Sequence, residues 1–177
     1  MKISNLEIMG VCLIENFEFY DERGGFIKTF SRELFEFSGI SFTPVEIYYS
    51  ISKKNVIRGM HFQIPPKEHS KLIYVTAGRI IDVILDLRKA SPTFGKYISV
   101  TLTACKNSIY IPAGCAHGFK ALDDGICVVY NQTSSYSKEH DSGILWNSFG
   151  FDWQTENPIL SERDKNLINF NQFTSPF

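Results

Sequence analysis

The four cysteines, Cys12, Cys105, Cys115 and Cys127, form no C-x-x-C pair. No apolar run reaches the roughly 20 residues that a membrane-spanning helix needs. The formal net charge is only -1. The cysteine spacing speaks against a zinc knuckle or a dithiol redox centre and leaves free thiols in a reducing compartment as the expectation. Nothing at the N-terminus follows the charged-then-apolar plan of a signal peptide. Near-neutral charge excludes a chain that coats nucleic acid or clings to acidic membranes, so any anion site must be a local cluster of Lys and Arg. A metal centre of the usual small-barrel type lacks its second histidine, because the His-x-His position after His61 is Gln63 and no carboxylate follows before Pro65. The expectation is a soluble cytoplasmic protein with no metal, cofactor, nucleic-acid partner or membrane partner.

Aromatic residues are plentiful. Fifteen Phe and eight Tyr lie among β-branched neighbours, which favours strands around an aromatic interior. With 177 residues, 44% of them apolar, the chain suits one domain, 1–177, with a substantial core. Val11 to Ile14 reads as a strand near an edge. Asp21 to Gly25 reads as a turn that leads into a hairpin strand, Phe26 to Phe30, with Arg23 at its rim. Ser31 can cap a short helix, Arg32 to Ser38, with Leu34 and Phe37 as its apolar stripe and Gly39 as its stop. Strands are then expected at Val45 to Ser52, Val56 to Gln63, Lys71 to Ala77, Ile80 to Arg88, Lys96 to Leu102, Ser108 to Pro112 and Gly125 to Gln132. Short strands separated by frequent turns describe an all-β sandwich or barrel. In Ile80 to Arg88, Asp82, Ile84 and Asp86 share one face, which suggests a polar lumen. Cys115 and His117 fall in a Gly-rich stretch read as one short loop. Regular pattern fades after Trp146 until Ser161, which can cap a helix that carries Asp164.

The chemistry concentrates in Asn55 to Gln63, continued by Lys71. Arg58 and His61 flank Gly59 in a strand, and a basic imidazole beside fixed positive charge suits proton abstraction from an anionic carbonyl substrate. The two side chains are an odd number apart, so a regular strand would aim them at opposite faces unless Gly59 marks a bulge. Taken singly, His61, Lys71 and Tyr130 each have an ordinary alternative as a satisfied or solvated strand residue. A nucleophile at Cys115 lacks an evident orienting partner, and a small packing cysteine is the simpler reading.

Several motifs in order then resemble the dTDP-4-dehydrorhamnose 3,5-epimerase family over nearly the whole chain. They are Asp21-Glu22-Arg23-Gly24, Arg58-Gly59-Met60-His61-Phe62-Gln63, Lys71-Leu72, Gly78 to Val83 with Asp86-Leu87-Arg88, Ser91 to Gly95, Ile111 to Phe119, Tyr130, Tyr136 to His140, Gly143 to Trp146 and Pro158 to Asp164. The resemblance implies a cupin-type double-stranded β-helix, a jelly-roll barrel with a few short helices, on which the segment from about 146 packs. It also implies a metal-free lumen site without cofactor and a homodimer that exchanges N-terminal strands. The implied activity is that of an isomerase, a carbohydrate epimerase acting on a nucleotide-diphosphate 4-keto-6-deoxyhexose in deoxysugar synthesis for surface polysaccharide.

By the same resemblance, His61 is the base, Asp164 orients it, Lys71 steadies the enolate oxygen and Tyr130 reprotonates the carbon from the other face. Arg23, Arg58 and Arg163 hold the diphosphate, His117 lines the sugar site beside Asp82, and Gln63 and Glu139 complete the binding set. The family's Glu after the Arg-Gly turn is replaced by Lys28, and its Gln-x-Asn-x-Ser by Glu46-Ile47-Tyr48-Tyr49-Ser50. In the family these positions approach the thymine, so Lys28, Glu46, Tyr48 and Ser50 imply a relaxed or altered base preference, with CDP and GDP sugars as candidates. The rival readings are a 3,4-ketoisomerase on a similar barrel and a non-catalytic sugar-nucleotide binding barrel.

Overall fold

Period-two alternation of apolar residues folds this chain into a succession of short strands between Lys2 and Gly143. The computed structural model describes Met1–Phe177. In chain order the strands are β1 (Lys2–Asn5), β2 (Cys12–Glu15), β3 (Phe17–Asp21), β4 (Gly24–Lys28), β5 (Glu46–Ser52), β6 (Ile57–Gln63), β7 (Lys71–Ala77), β8 (Arg79–Asp86), β9 (Tyr97–Thr103), β10 (Asn107–Ile111), β11 (Cys115–Ala121), β12 (Ile126–Gln132) and β13 (Asp141–Gly143). Two short helices, α1 (Arg32–Phe37) and α2 (Glu162–Lys165), and a 3-10 turn, Phe170–Gln172, complete the set.

A six-stranded sheet in the order β1-β2-β10-β7-β12-β5 faces a five-stranded sheet in the order β13-β6-β11-β8-β9. Together they form the expected all-β jelly-roll barrel. Ile73, Val75, Ile109, Ile111, Ile126 and Val128 of the first sheet pack against Ile80, Ile84, Leu102, Phe119 and Ala121 of the second. Each such side chain contributes about 1.5–3 kcal/mol when fully buried, so this apolar plug fixes the spacing of the sheets. Lumen-facing Lys71, His117 and Tyr130 belong to these same strands and His61 to the neighbouring β6, and the packed plug beneath holds them in place.

The outer faces are covered differently. Val83 and Leu85 of β8, with Leu87 just beyond its end, are roofed by Trp153, Phe173 and Phe177 of the C-terminal segment. On the other side Phe35 of α1 meets the rings of Phe30, Phe42 and Tyr110 at centroid distances of 4.9, 6.1 and 6.2 Å. The hairpin β3–β4 pairs with no other strand of the chain.

Several sequence expectations change. The strand near Val11 to Ile14 is not an edge, because β2 lies between β1 and β10, and β1 takes the edge. The helix turns Phe35 inward and leaves Phe37 90% exposed, since the aromatic cluster around Tyr110 selects the face of a helix too short to set its own stripe. Ser31 stands at its N-cap without a side-chain cap bond. Cys115 and His117 lie on β11 rather than in a loop. Only one of the two carboxylates of β8 serves the lumen. Asp86 is consumed by the Arg88 backbone and guanidinium and by the Ser91 and Thr93 hydroxyls, which tie down the 88–93 loop.

Candidate active site

The cleft starts from a bulge. Between β6 and β11, His61 pairs with His117 and Arg58 pairs with Phe119, so three steps on one strand match two on the other. Cross-strand partners point to the same side, and the extra residue therefore brings Arg58 and His61 onto the face shared by His117 and Phe119. Gly59 makes this possible. Its φ is +132°, a region that L side chains avoid, and a Cβ there would collide with the Gly118 backbone.

His61 is held by Asp164, with Nε2 2.6 Å from Oδ1. Asp164 is buried on α2, where the Ser161 hydroxyl accepts its backbone N–H at 3.1 Å. That is the cap the sequence placed there, and it starts the helix at the point needed to aim the carboxylate back at β6. Asp164 Oδ2 also accepts from Gly59 N–H at 3.4 Å. Burial works against ionisation of Asp164, yet the His61 bond, the His61 charge and this N–H hold its carboxyl below the usual range. Burial likewise pushes the His61 imidazole down, against the pull of Asp164, and the charges of Arg163 and Lys71 push the same way. A carboxylate accepting the Nε2 proton assigns the tautomer and leaves Nδ1 as the free lone pair.

Lys71 opens β7. Its buried Nζ donates to the His61 carbonyl at 3.0 Å, and burial lowers its ammonium to about 8, opposed by Asp82 and Asp141. Around His61 and Lys71 the cleft is walled by Tyr48, Gln63, His69, Gln132, Tyr136, Asp141 and Arg163, with an accessible volume of about 130 Å³. That is below the roughly 300 Å³ at which ligand sites begin, so this cleft must open or be completed to take a ligand of that size.

A second histidine–carboxylate pair lies deeper. His117 Nε2 is 2.6 Å from Asp82 Oδ1, both buried, and Asp82 Oδ2 has no partner. His117 thus has the orienting partner that a loop reading could not supply. Its ring meets the Tyr130 ring edge-on at 6.2 Å. Burial drives the Cys115 thiol up to about 12, too high for a thiolate nucleophile near neutrality. Tyr130, 7% exposed, shares a hydrogen bond with Ser50 Oγ at 3.3 Å, and burial raises its phenol well above the usual value. Tyr48 stacks on it at 4.8 Å with planes 16° apart, and itself donates to Gln132 Oε1 at 3.3 Å.

The remaining expected residues divide. Arg163 reaches the cleft and pairs with Asp141 at 2.8 Å. Glu46 accepts the Tyr136 N–H at the rim. Gln63 lines the cleft, but its amide is occupied by Lys67 and Ser135 carbonyls and by the Ser137 N–H, so it fastens the flanking loops. Arg58 turns to Ser52 Oγ and the Ile51 carbonyl on β5. Arg23 and Lys28 stay on the β3–β4 hairpin, outside this cleft, with Arg23 bound to Asp21. Glu139 is exposed and outside the cleft wall.

His69, Gln132, Tyr136 and Asp141 of the wall were not singled out from the sequence. Asp141 sits two residues beyond Glu139, and the β13–β6 register, opposite Gln63, is what carries it inward. His69 is held neutral, its imidazole pushed down to about 3 by burial and by Lys71, and its Nε2 is buried without a partner.

The chain is similar to known proteins over nearly its whole length. The family profile described as dTDP-4-dehydrorhamnose 3,5-epimerase matches residues 5–172. A dTDP-4-dehydrorhamnose 3,5-epimerase of Shigella flexneri is 41% identical over 174 residues, covering 96% of each chain. The crystal structure of the enzyme of that name from Bacillus anthracis str. Ames, with TDP and PPi bound, superposes with a TM-score of 0.91 at 38% identity, covering 95% of this chain and 98% of that one. A dTDP-6-deoxy-D-glucose-3,5-epimerase from Legionella pneumophila Philadelphia 1, in complex with dTDP-4-keto-L-rhamnose, gives 0.92 at 34% identity, covering 98% and 94%. With the profile spanning nearly all of the barrel and its C-terminal cover, this chain belongs to the dTDP-4-dehydrorhamnose 3,5-epimerase family.

Proposed function

We propose that the protein is a cytoplasmic epimerase that converts dTDP-4-dehydro-6-deoxyglucose to dTDP-4-dehydrorhamnose by inverting C3 and C5. The observation that carries this reading is the His61–Asp164 pair beside the buried Lys71 ammonium in one cleft. A ketone at C4 makes the C3 and C5 hydrogens acidic, because the carbanion spreads onto oxygen as an enolate. Nδ1 of His61 takes the proton, and Asp164 steadies the imidazolium that forms. Lys71 faces the oxygen on which charge develops, where a fixed cation in a water-poor site acts most strongly on the transition state. Tyr130, kept protonated by burial, delivers a proton to the opposite face.

The chain acts as one domain within a homodimer. The unpartnered β3–β4 hairpin exposes Phe19, Tyr20 and Phe26 and carries Arg23 and Lys28 away from their own cleft. Exchange with a second copy would place them over the partner's cleft, where Arg23 joins Arg163 at the diphosphate and Lys28 joins Glu46 near the base.

The test is solvent exchange in D2O followed by NMR on dTDP-, CDP- and GDP-linked 4-keto-6-deoxyhexoses. Deuterium is expected at both C3 and C5 of the dTDP sugar. Uptake at C3 alone would mean a one-centre epimerase, preference for a CDP or GDP sugar would move the base assignment, and no uptake with any of them would sink the enzyme reading.

A pH profile follows from the same groups. His61 must be neutral to accept a proton, and its imidazole lies below the ordinary 6.5, so kcat/KM should fall only on the acid side of that value. Lys71 must be charged, so kcat/KM should fall again as pH rises through about 8. A plateau extending unchanged to pH 10 would remove Lys71 from the enolate role.

A further inference from the structure

The cleft wall contains Tyr48 but not Tyr130. The two rings are stacked nearly parallel at 4.8 Å, so Tyr48 stands between the cleft and the phenol assigned to reprotonation. Its own hydroxyl is tied to Gln132 Oε1 at 3.3 Å, on the same strand as Tyr130, while the Tyr130 hydroxyl is bonded to Ser50. Register explains the arrangement. Tyr48 and Tyr130 are direct cross-strand partners on β5 and β12, and Glu46 and Gln132 are the next pair along the same face. Nothing else in the cleft separates abstraction from delivery in this way. His61 is open to the cleft, with 29% of its side chain exposed, whereas Tyr130 lies one aromatic layer behind it.

We propose that Tyr48 is a positioning residue that meters opposite-face protonation: the reaction inverts a carbon only when the Tyr48 ring leaves Tyr130, and the Tyr48–Gln132 bond is the latch. The inference rests on the epimerase reading above. After His61 removes a proton, the enolate has two fates. His61 can return a proton to the same face, which after exchange with solvent labels the carbon without inverting it. Alternatively Tyr130 gives its O–H proton to the other face, and the phenolate left behind regains a proton from solvent. The resting stack favours the first fate, because the acid is covered while the base is not. Gln132 and Ser50 set how tightly each ring is held, so the partition is built into the lumen face of β5 and β12.

The readout is the number of inversions per deuterium incorporated at the same carbon of dTDP-4-dehydro-6-deoxyglucose, measured by NMR in D2O with the full chain. This ratio is internal, so a change in affinity or in the amount of folded protein leaves it unmoved. Wild type should incorporate deuterium several times for each inversion. Tyr48→Phe keeps the ring and removes the latch, and should raise the ratio by about threefold, within the worth of one neutral hydrogen bond and toward the ceiling of one that is set because each inversion itself delivers a deuteron. Gln132→Leu, which removes the other half of the latch, should move it in the same direction. Tyr48→Ala removes the cover and should raise it at least as far.

A wild-type enzyme that inverts at nearly every exchange event would overturn the gate, as would variants that exchange normally with an unchanged or lower ratio. Absence of exchange in wild type would instead overturn the epimerase reading and the gate with it.

Discussion

Replacing His61 with Asn should lower deuterium exchange at both C3 and C5 by about a thousandfold, within the 10² to 10⁴ range that general-base catalysis supplies. Binding of dTDP, measured by calorimetry, should stay within about twofold of wild type if the imidazole serves the proton and not the ligand. The size of the loss follows from what else the cleft offers. Lys71 is a cation below about 8 and cannot accept a proton there. His69, pushed down to about 3, is too weak a base and is buried at its free nitrogen. Asp164 lies behind the imidazole, and His117 is sealed against Asp82 at 2.6 Å. Asp141 is engaged by the Arg163 guanidinium at 2.8 Å. Each alternative fails for its own reason, so no neighbour can stand in for Nδ1. Exchange in His61→Asn within tenfold of wild type would refute the assignment.

The parts of the fold that were legible in the sequence are those set by period and punctuation. β8 shows its two faces directly: Val83 and Leu85 go to the C-terminal cover, while Ile80, Asp82 and Ile84 go to the lumen. Ser161 announced α2, and Gly59 announced the bulge that brings Arg58 and His61 to one face. Features decided by distant partners were not legible. Phe35 and Phe37 are equally apolar, and only Tyr110 and Phe42, brought alongside by the sheet, choose between them. Asp86 alternates in step with Asp82, yet a local loop claims it.

The same limit applies to the cleft. His61, Lys71 and Arg163 could be named from their residue types and motifs, and they do converge. Asp141 and His69 could not, because each enters through a register or loop path that composition does not encode. Arg23 and Lys28 show the converse case. They were expected in the substrate set, and one copy of the chain leaves them on a hairpin pointing elsewhere. A linear motif carries no statement of where its hairpin will lie.

Tyr130→Phe should separate two events that His61→Asn removes together. Phenylalanine preserves the ring that Tyr48 stacks on and nearly the same volume, so the barrel should lose only about 1 kcal/mol, for the bond to Ser50. His61, Asp164 and Lys71 are untouched, so abstraction, and with it deuterium uptake, should persist within about tenfold of wild type. Net inversion should fall by about 100-fold or more, because the opposite face then has no acid. The lumen confirms how little is available there: the Ser50 hydroxyl is the direct partner of the phenol, and His117 beyond it is bound to Asp82. Equal loss of exchange and inversion would make Tyr130 a binding or structural residue, and unchanged inversion would transfer the acid role to water. The predicted pattern, labelled substrate with retained configuration, is one that a general weakening of the fold cannot produce.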